Sequence, residues 1–267
     1  MLPIIGIIAG NGDLPKEIAD IYQKNGGRCI IADIGAEERL FPCTKGKFPL
    51  GSVGAILSFF RKNSVESVIL VGGIDRVDLK SLKVDMQGAI LISKIAKNKL
   101  LGDDNILRIV AEHIESKGFK VISPQEILKL NHFPDNFTLI SKTSTQDEID
   151  IQIGRKVLSS LGENDVGQSV IVCNGYVLGI EAAEGTDNLI KRCADLRKST
   201  KGGLLVKMSK CAQDNRLDVP SIGPGTIRRL AEKNYSGLAI EDKKVIIIKP
   251  QETFDLLNLY QLFLKII

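Results

Sequence analysis

Residues 4–9 (Ile-Ile-Gly-Ile-Ile-Ala) form an almost unbroken apolar run that ends in a glycine-rich loop, Gly10-Asn11-Gly12, with Pro15 close behind. A run without polar alternation predicts a strand buried on both faces. Strands of that kind belong to parallel sheets covered by helices on each side. The pattern then repeats. Pro15 opens a helix through about Gln23, Pro being suited to a first helical turn, and Gly26-Gly27 stops it. Residues 28–34 and 67–71 read as strands, the latter ending in Gly72-Gly73, and residues 53–62 as a helix between them. Residues 87–100 and 105–116 read as helices split by Gly102-Asp103-Asp104. A short strand over 119–122 and a helix opened by Pro124 follow. Strands alternating with helices predict a parallel α/β sheet.

The character changes at residues 131–145, which hold Pro134, Asn136 and a Ser/Thr run and read as a linker. Beyond it, residues 147–161 predict a helix. Residues 169–173 and 176–180 flank Asn174-Gly175, a strong hairpin signal. Residues 186–194 and 225–233 predict helices and 204–208 a strand. Residues 238–240 and 245–248 predict a second hairpin around Glu241-Asp242-Lys243. The tail, 254–267, has Leu256, Leu257, Tyr260, Leu264 and Ile267 near helical spacing. The expected fold is α/β: an N-terminal Rossmann-like parallel sheet domain (1–130), a linker (131–145) and a C-terminal mixed α/β domain (146–267).

At 267 residues, 43% hydrophobic and 25% charged, the chain has room for two ordinary cores and is not of disordered type. The net charge of +4 is spread without a basic arm, so nucleic acid is not an expected partner. Five scattered cysteines in no CxxC pair argue against a disulfide framework and fit a reducing cytoplasm. The two histidines, His113 and His132, make no zinc motif. Residues 1–9 read as a first strand rather than a signal peptide. No apolar stretch reaches transmembrane length.

Three polar segments in the second half place carboxylates at strand ends and helix starts: residues 165–168, 181–187 and 213–226. A rigid scaffold can aim oxygen ligands at a metal or phosphate from such positions. Glu181, Glu184 and Asp187, with Thr186, fall between a hairpin strand and a helix. Asp214, Arg216 and Asp218 alternate, which on an extended segment places them on one side. Two carboxylates and an Arg so placed suit Mg²⁺ and a phosphate clamp, and an Asp–Arg ion pair that shapes a loop is the alternative. Lys207, Lys210 and Gln213 lie close by. In the first half, Gly10, Asn11 and Gly12 could bring backbone N–H groups to an anion at a helix start. Asp33 follows the second strand, where a ribose-binding acid would sit. Gly72 and Gly73, with Asp75-Arg76 behind them, could bend the chain close to a ligand. Gly102-Asp103-Asp104 is a metal site or a helix cap.

These residues resemble the bacterial UDP-2,3-diacylglucosamine pyrophosphatase family of lipid A biosynthesis, over nearly the whole chain. The carrying segments are residues 6–15, Gly102-Asp103-Asp104, Asp165-Val-Gly-Gln168, residues 180–187 and Gln213-Asp-Asn-Arg-Leu-Asp-Val-Pro-Ser-Ile-Gly223, of which the last two together are specific. The resemblance implies that water attacks the α-phosphorus of the UDP-sugar, giving UMP and 2,3-diacylglucosamine 1-phosphate (lipid X), with Mg²⁺, or else Mn²⁺ or Co²⁺. By motif position Asp218 matches the family's essential aspartate, holding metal or orienting water. Asp214, Glu181, Glu184 and Asp187 are candidate metal or water ligands. Lys207, Lys210 and Arg216 are candidate diphosphate clamps. Gly10, Asn11, Gly12, Gly72, Gly73, Thr186 and Gln213 are expected to bind substrate, the glycine loops in a cleft between the domains. Ser221 stands where the family often has Thr. A homodimer, a cytoplasmic location and peripheral contact with the inner membrane of a Gram-negative bacterium are further expectations.

Two other readings compete. A nicotinamide-dependent oxidoreductase would use the first glycine loop, although Pro15 stands where its fingerprint wants a third Gly. A non-catalytic carrier of lipid or nucleotide-sugar would bind without turnover.

Overall fold

The computed structural model describes residues 2–36, 39–74, 82–98, 103–128, 141–162, 166–210, 214, 216, 217 and 219–267. The chain divides into two compact units, one made of Met1–Lys129 with Asp214–Asp218 and the other of Leu130–Gln213 with Val219–Ile267.

The first unit contains β1 (Ile5–Ala9), α1 (Leu14–Lys24), β2 (Cys29–Asp33), β3 (Thr44–Lys47), α2 (Val53–Lys62), β4 (Ser67–Val71), α3 (Met86–Lys97), α4 (Asp103–Glu115), β5 (Lys120–Val121) and α5 (Pro124–Leu128). Its sheet has the order β3-β2-β1-β4-β5, and each neighbouring pair is parallel. That order reverses between β1 and β4, the switch point beside which ligands sit in doubly wound sheets. Both faces of β2 and β4 are buried, as their apolar runs require. Ile30, Ala32, Val68 and Leu70 pack on Ile56, Leu57 and Phe60 of α2 and Ala111 and Ile114 of α4. Leu217 joins this core from the second stretch of the unit. A buried side chain of this size contributes roughly 1.5–3 kcal/mol. Helix α3 starts where Asp85 accepts from the Gly88 amide at 2.9 Å. With this N-cap the helix begins one residue before the expected 87.

The second unit contains α6 (Thr145–Gly162), β6 (Ser169–Cys173), β7 (Tyr176–Ile180), α7 (Gly185–Ala194), β8 (Leu204–Lys207), β9 (Ser221–Ile222), α8 (Pro224–Glu232), β10 (Gly237–Ile240), β11 (Ile246–Ile247), α9 (Pro250–Leu259) and β12 (Phe263–Ile266). Its main sheet runs β12-β10-β8-β6-β7. β6 is antiparallel to both neighbours, whereas β10 is parallel to β8 and β12. The sheet is therefore mixed. Alternate residues face two cores: Ile171, Leu205, Leu238 and Leu264 pack with α7, α8 and α9, and Val170, Val206, Ala239 and Phe263 pack with α6. Gly154 lets α6 approach closely, since a Cβ there would lie 2.5 Å from Val206 Cγ2. Buried Asp150 of α6 accepts the amides of Asn174 and Gly175 at 2.8 and 2.7 Å, fixing the β6–β7 hairpin.

Two sequence expectations are corrected. Residues 238–248 do not form a hairpin. The chain turns at Glu241–Lys244, but β10 pairs with β8 and β12, and β11 pairs with β9 in a separate two-stranded sheet. The tail is not one helix either: α9 ends at Leu259, Gln261 takes a positive φ of 56°, and β12 follows. A left-handed residue cannot continue an α-helix.

Candidate functional site

In the first unit, the loops after β1 and β4 meet at the switch point. Asn11 N donates to Gly73 O at 2.6 Å and Gly73 N to Asn11 O at 3.0 Å, while Gly10 N donates to Val71 O. A Cβ at Gly10 would lie 2.5 Å from Gly73 O, so only glycine fits this approach. The amides of Gly10 and Asn11 are committed to this seam. The carbonyls are committed too. Arg39 Nη1 donates to Gly10 O at 2.5 Å and Gly12 O at 3.1 Å. Asn11 Oδ1 accepts the Ala36 amide at 2.9 Å.

The same Arg39 binds Asp33 at 2.7 Å, and Lys47 Nζ lies 3.3 Å from the other Asp33 oxygen. Asp33 also accepts the Gly35 amide. Burial pushes the Asp33 carboxyl up, but Arg39, the Gly35 amide and Lys47 outweigh it and hold it below the usual aspartate range. Asp33 is completely buried. It holds the glycine loop through Arg39 and presents no oxygen to a ribose, which removes the ribose-binding acid from the nicotinamide reading.

Asp214 and Arg216 also belong to the first unit. They do not lie on an extended segment. Leu217 N donates to Asp214 O at 2.9 Å, closing a turn, because Arg216 folds back on Asp214 (2.8 Å) and reaches Glu115 of α4 (2.8 Å). Arg216 holds the Asp214 carboxyl well below its usual range. Asp104, buried in the first turn of α4, accepts from Arg108 at 3.0 Å and from the Asp214 amide at 3.3 Å. Here Asp104 is tied to its neighbours, at a helix end that favours negative charge. Asp218, Gln213, Asp75, Arg76, Gly102 and Asp165 lie outside the described residues.

In the second unit three predicted site residues come together. Ser169 and Lys207 are cross-strand partners at the carboxyl end of β8. Glu181 follows β7, and Thr186 sits in the first turn of α7. Lys207 Nζ donates to Thr186 Oγ1 at 2.8 Å, and Thr186 Oγ1 donates to Glu181 Oε1 at 3.0 Å. Ser169 Oγ lies 3.3 Å from the same hydroxyl. Lys207 is 5% exposed and Glu181 7%. Charged groups so buried normally need partners. Yet Glu181 Oε2 and the nearby Gln168 Oε1 accept from no donor among the described residues. The cluster combines a cation, a hydroxyl relay and an uncommitted carboxylate oxygen. This set can grip a phosphoryl oxygen and take a proton from water.

The other carboxylates are occupied. Glu184 accepts from Arg192 Nη2 at 2.7 Å and from the Ala182 amide at 3.2 Å. Its carboxyl lies below the usual range, through backbone hydrogen bonding first and Arg192 second. Asp187 pairs with Arg229 at 3.0 Å. Lys210 lies three residues beyond the end of β8. A groove of about 890 Å³ runs between α7 and α8, walled by Glu184, Asn188, Lys191, Arg192, Arg229 and Glu232. Charged and amide side chains dominate these walls. Among the described residues no three His, Cys, Asp or Glu side chains gather as a metal group. Among the described candidates the carboxylates do not fit a protein-built cage for Mg²⁺: Glu184, Asp187 and Asp214 each face an arginine, and of these four only Glu181 keeps an open oxygen.

Sequence reasoning missed Ser169, Arg39 and Glu115. Ser169 carried a usable signal, since the Asn174-Gly175 hairpin fixes which strand ends lie beside Glu181. Arg39 and Glu115 act across folded distances that local pattern does not encode.

Comparison with known proteins also divides the chain near residue 130. Residues 4–130 match the family profile described as the LpxI N-terminal domain, and residues 135–265 match the LpxI C-terminal domain. The chain is also 30% identical over 254 residues to a protein of Caulobacter vibrioides, covering 91% of this chain and 90% of that protein. The relative's name is UDP-2,3-diacylglucosamine pyrophosphatase LpxI.

Proposed function

The chain belongs to the LpxI family, and we propose that it hydrolyses the diphosphate of UDP-2,3-diacylglucosamine in lipid A biosynthesis. Water attacks the α-phosphorus, and the products are UMP and lipid X. The observation that carries the reading is the buried Lys207–Thr186–Glu181 relay with its open Glu181 oxygen. Diphosphate hydrolysis needs charge placed against phosphoryl oxygens and a positioned water, and little covalent help from the protein. Lys207, held by Thr186, binds a phosphoryl oxygen. Glu181 Oε2 accepts a hydrogen bond from water or a substrate hydroxyl. Asp218, by its motif position, orients the attacking water or holds the metal. Gly10, Asn11, Gly12, Gly72 and Gly73 provide a close backbone surface, while Lys210, Gln213 and Arg216 complete the substrate contacts.

A divalent ion (Mg²⁺, with Mn²⁺ or Co²⁺ as substitutes) would neutralise phosphoryl charge. Because Mg²⁺ commonly binds through one or two carboxylates plus substrate phosphates, we place it on the diphosphate, with Asp218 as the first protein ligand. Glu181 is the second candidate, while Glu184, Asp187 and Asp214 would each have to release an arginine. No helix among the described residues is long and apolar enough to cross a membrane. Work in the cytoplasm, transient contact with the membrane that holds the lipid substrate, and a homodimer belong to the same proposal.

The test is UMP release from UDP-2,3-diacylglucosamine by wild type with Mg²⁺, wild type with EDTA, and Asp218→Ala. The expected result is UMP from the first alone, with the variant still binding substrate. A folded wild type that binds substrate but releases no UMP with Mg²⁺, Mn²⁺ or Co²⁺ would replace hydrolysis by the carrier reading.

A further inference from the structure

Cys29 opens β2, and Cys43 immediately precedes β3. The two strands are parallel, with Ile30 opposite Thr44. Cys29 and Cys43 each stand one residue before that first pair, side by side at the mouth of the ladder. Neighbouring strands lie about 4.8 Å apart, inside the window of roughly 4.4–6.8 Å between Cα atoms that a disulfide bridges. The two thiols also sense each other, Cys29 being drawn below and Cys43 pushed above the usual thiol range. Gln23 of α1 donates to Pro42 O at 3.2 Å, holding the residue before Cys43 against the same helix. Cys29 is 1% exposed, whereas Cys43 is partly open to solvent. Cys173 and Cys193 lie in the second unit, both buried.

We propose that Cys29 and Cys43 are an oxidisable dithiol, a modification site that a small disulfide of the glutathione type converts into an internal bridge. Cys43 is the sulfur that a reagent can reach. Cys43 Sγ attacks one sulfur of the oxidised reagent as it gives up its proton, forming a mixed disulfide and expelling one reagent thiolate. The Cys29 thiolate then attacks Cys43 Sγ, forming the Cys29–Cys43 bond and expelling the second. The two thiol protons end on the two reagent thiolates, and two electrons pass from the protein to the reagent. The neighbouring Cys43 draws the Cys29 thiol below its usual range, against burial and the nearby Asp20 carboxylate, while Cys29 and burial push the Cys43 thiol up, which slows the first step. The lowered Cys29 pKa favours the resolving thiolate. The bridge would close the segment carrying Asp33 and Arg39, the pair that holds the glycine loop. Oxidation thereby stiffens the support of that loop.

The experiment treats the folded wild-type protein with oxidised glutathione and reads intact mass and proteolytic peptides. The expected product is lighter by about 2 Da, yields one linked peptide pair containing Cys29 and Cys43, and melts several degrees higher than the reduced protein. Cys29→Ser should instead retain a glutathione adduct on Cys43, because its resolving sulfur is gone. A stable adduct on wild-type Cys43 without the linked pair, no change at either cysteine, or a link that forms only after denaturation would each overturn the proposal. None of these readouts depends on UMP release.

Discussion

Thr186→Val should separate a working relay from a packing contact. Valine keeps the volume and removes only the hydroxyl that joins Lys207 to Glu181. Two hydrogen bonds to charged groups are lost, each worth about 1.5–3 kcal/mol net. Thr186 is half-buried, so water recovers part of that, and Lys207 and Glu181 can approach one another. The expected loss is about 2 kcal/mol, or a drop in Tm of roughly 4–10 °C for a domain of this size. Activity should fall further than stability explains, since a catalytic group displaced by about 1 Å costs on the order of 100-fold. Thr186→Ser should restore both, because serine keeps the oxygen. Urea unfolding and UMP release at saturating substrate are the assays. If Thr186→Val stays within about 0.5 kcal/mol of wild type with full kcat, the relay carries no function. If serine fails to rescue the valine defect, the methyl group rather than the hydroxyl matters, and the argument from Thr186 Oγ1 falls.

Two further outcomes follow from the packing and the charges. The folded-state pKa of Asp33 is depressed, so its contribution to stability is present above the unfolded value of about 3.9 and is lost as pH falls through the folded one. Asp33→Asn should therefore destabilise the first unit at pH 7 by about 2–4 kcal/mol and flatten the acid limb of a pH–Tm curve, and an unchanged acid limb would contradict the pairing with Arg39. Gly154→Ala should cost roughly 1–3 kcal/mol by overpacking α6 against Val206, and a neutral effect in urea unfolding would mean that α6 can move away from the sheet.

The parts of the fold legible in sequence are those whose signal is local and apolar. β1, β2 and β4 are continuous runs because both of their faces are buried, and Asn174-Gly175 announces the β6–β7 turn. β3 (Thr-Lys-Gly-Lys) was invisible, being a polar strand at the sheet edge. The turn at Glu241–Lys244 was legible, but not the partner of the strand after it, since pairing between distant segments leaves no local pattern. In the tail, Leu264 and Ile267 fall at helical spacing by coincidence. Phe263 and Leu264 face opposite cores, as successive strand residues do. In the candidate site, Glu181, Thr186 and Lys207 were found from their positions at strand ends and a helix start. Their mutual hydrogen bonds were not, and neither was the Arg39 that occupies the glycine loop.

The five residues Asp214–Asp218, which complete the first unit from deep within the sequence of the second, bear on how the chain is made. A ribosome adding about 5–20 residues per second releases Met1–Lys129 well before Leu217 exists to enter the core around Phe60, or Arg216 to meet Glu115. The nascent N-terminal unit must wait, with part of its core unsealed, until most of the polypeptide has emerged. A gene fragment cut after residue 130 would encode that waiting state permanently.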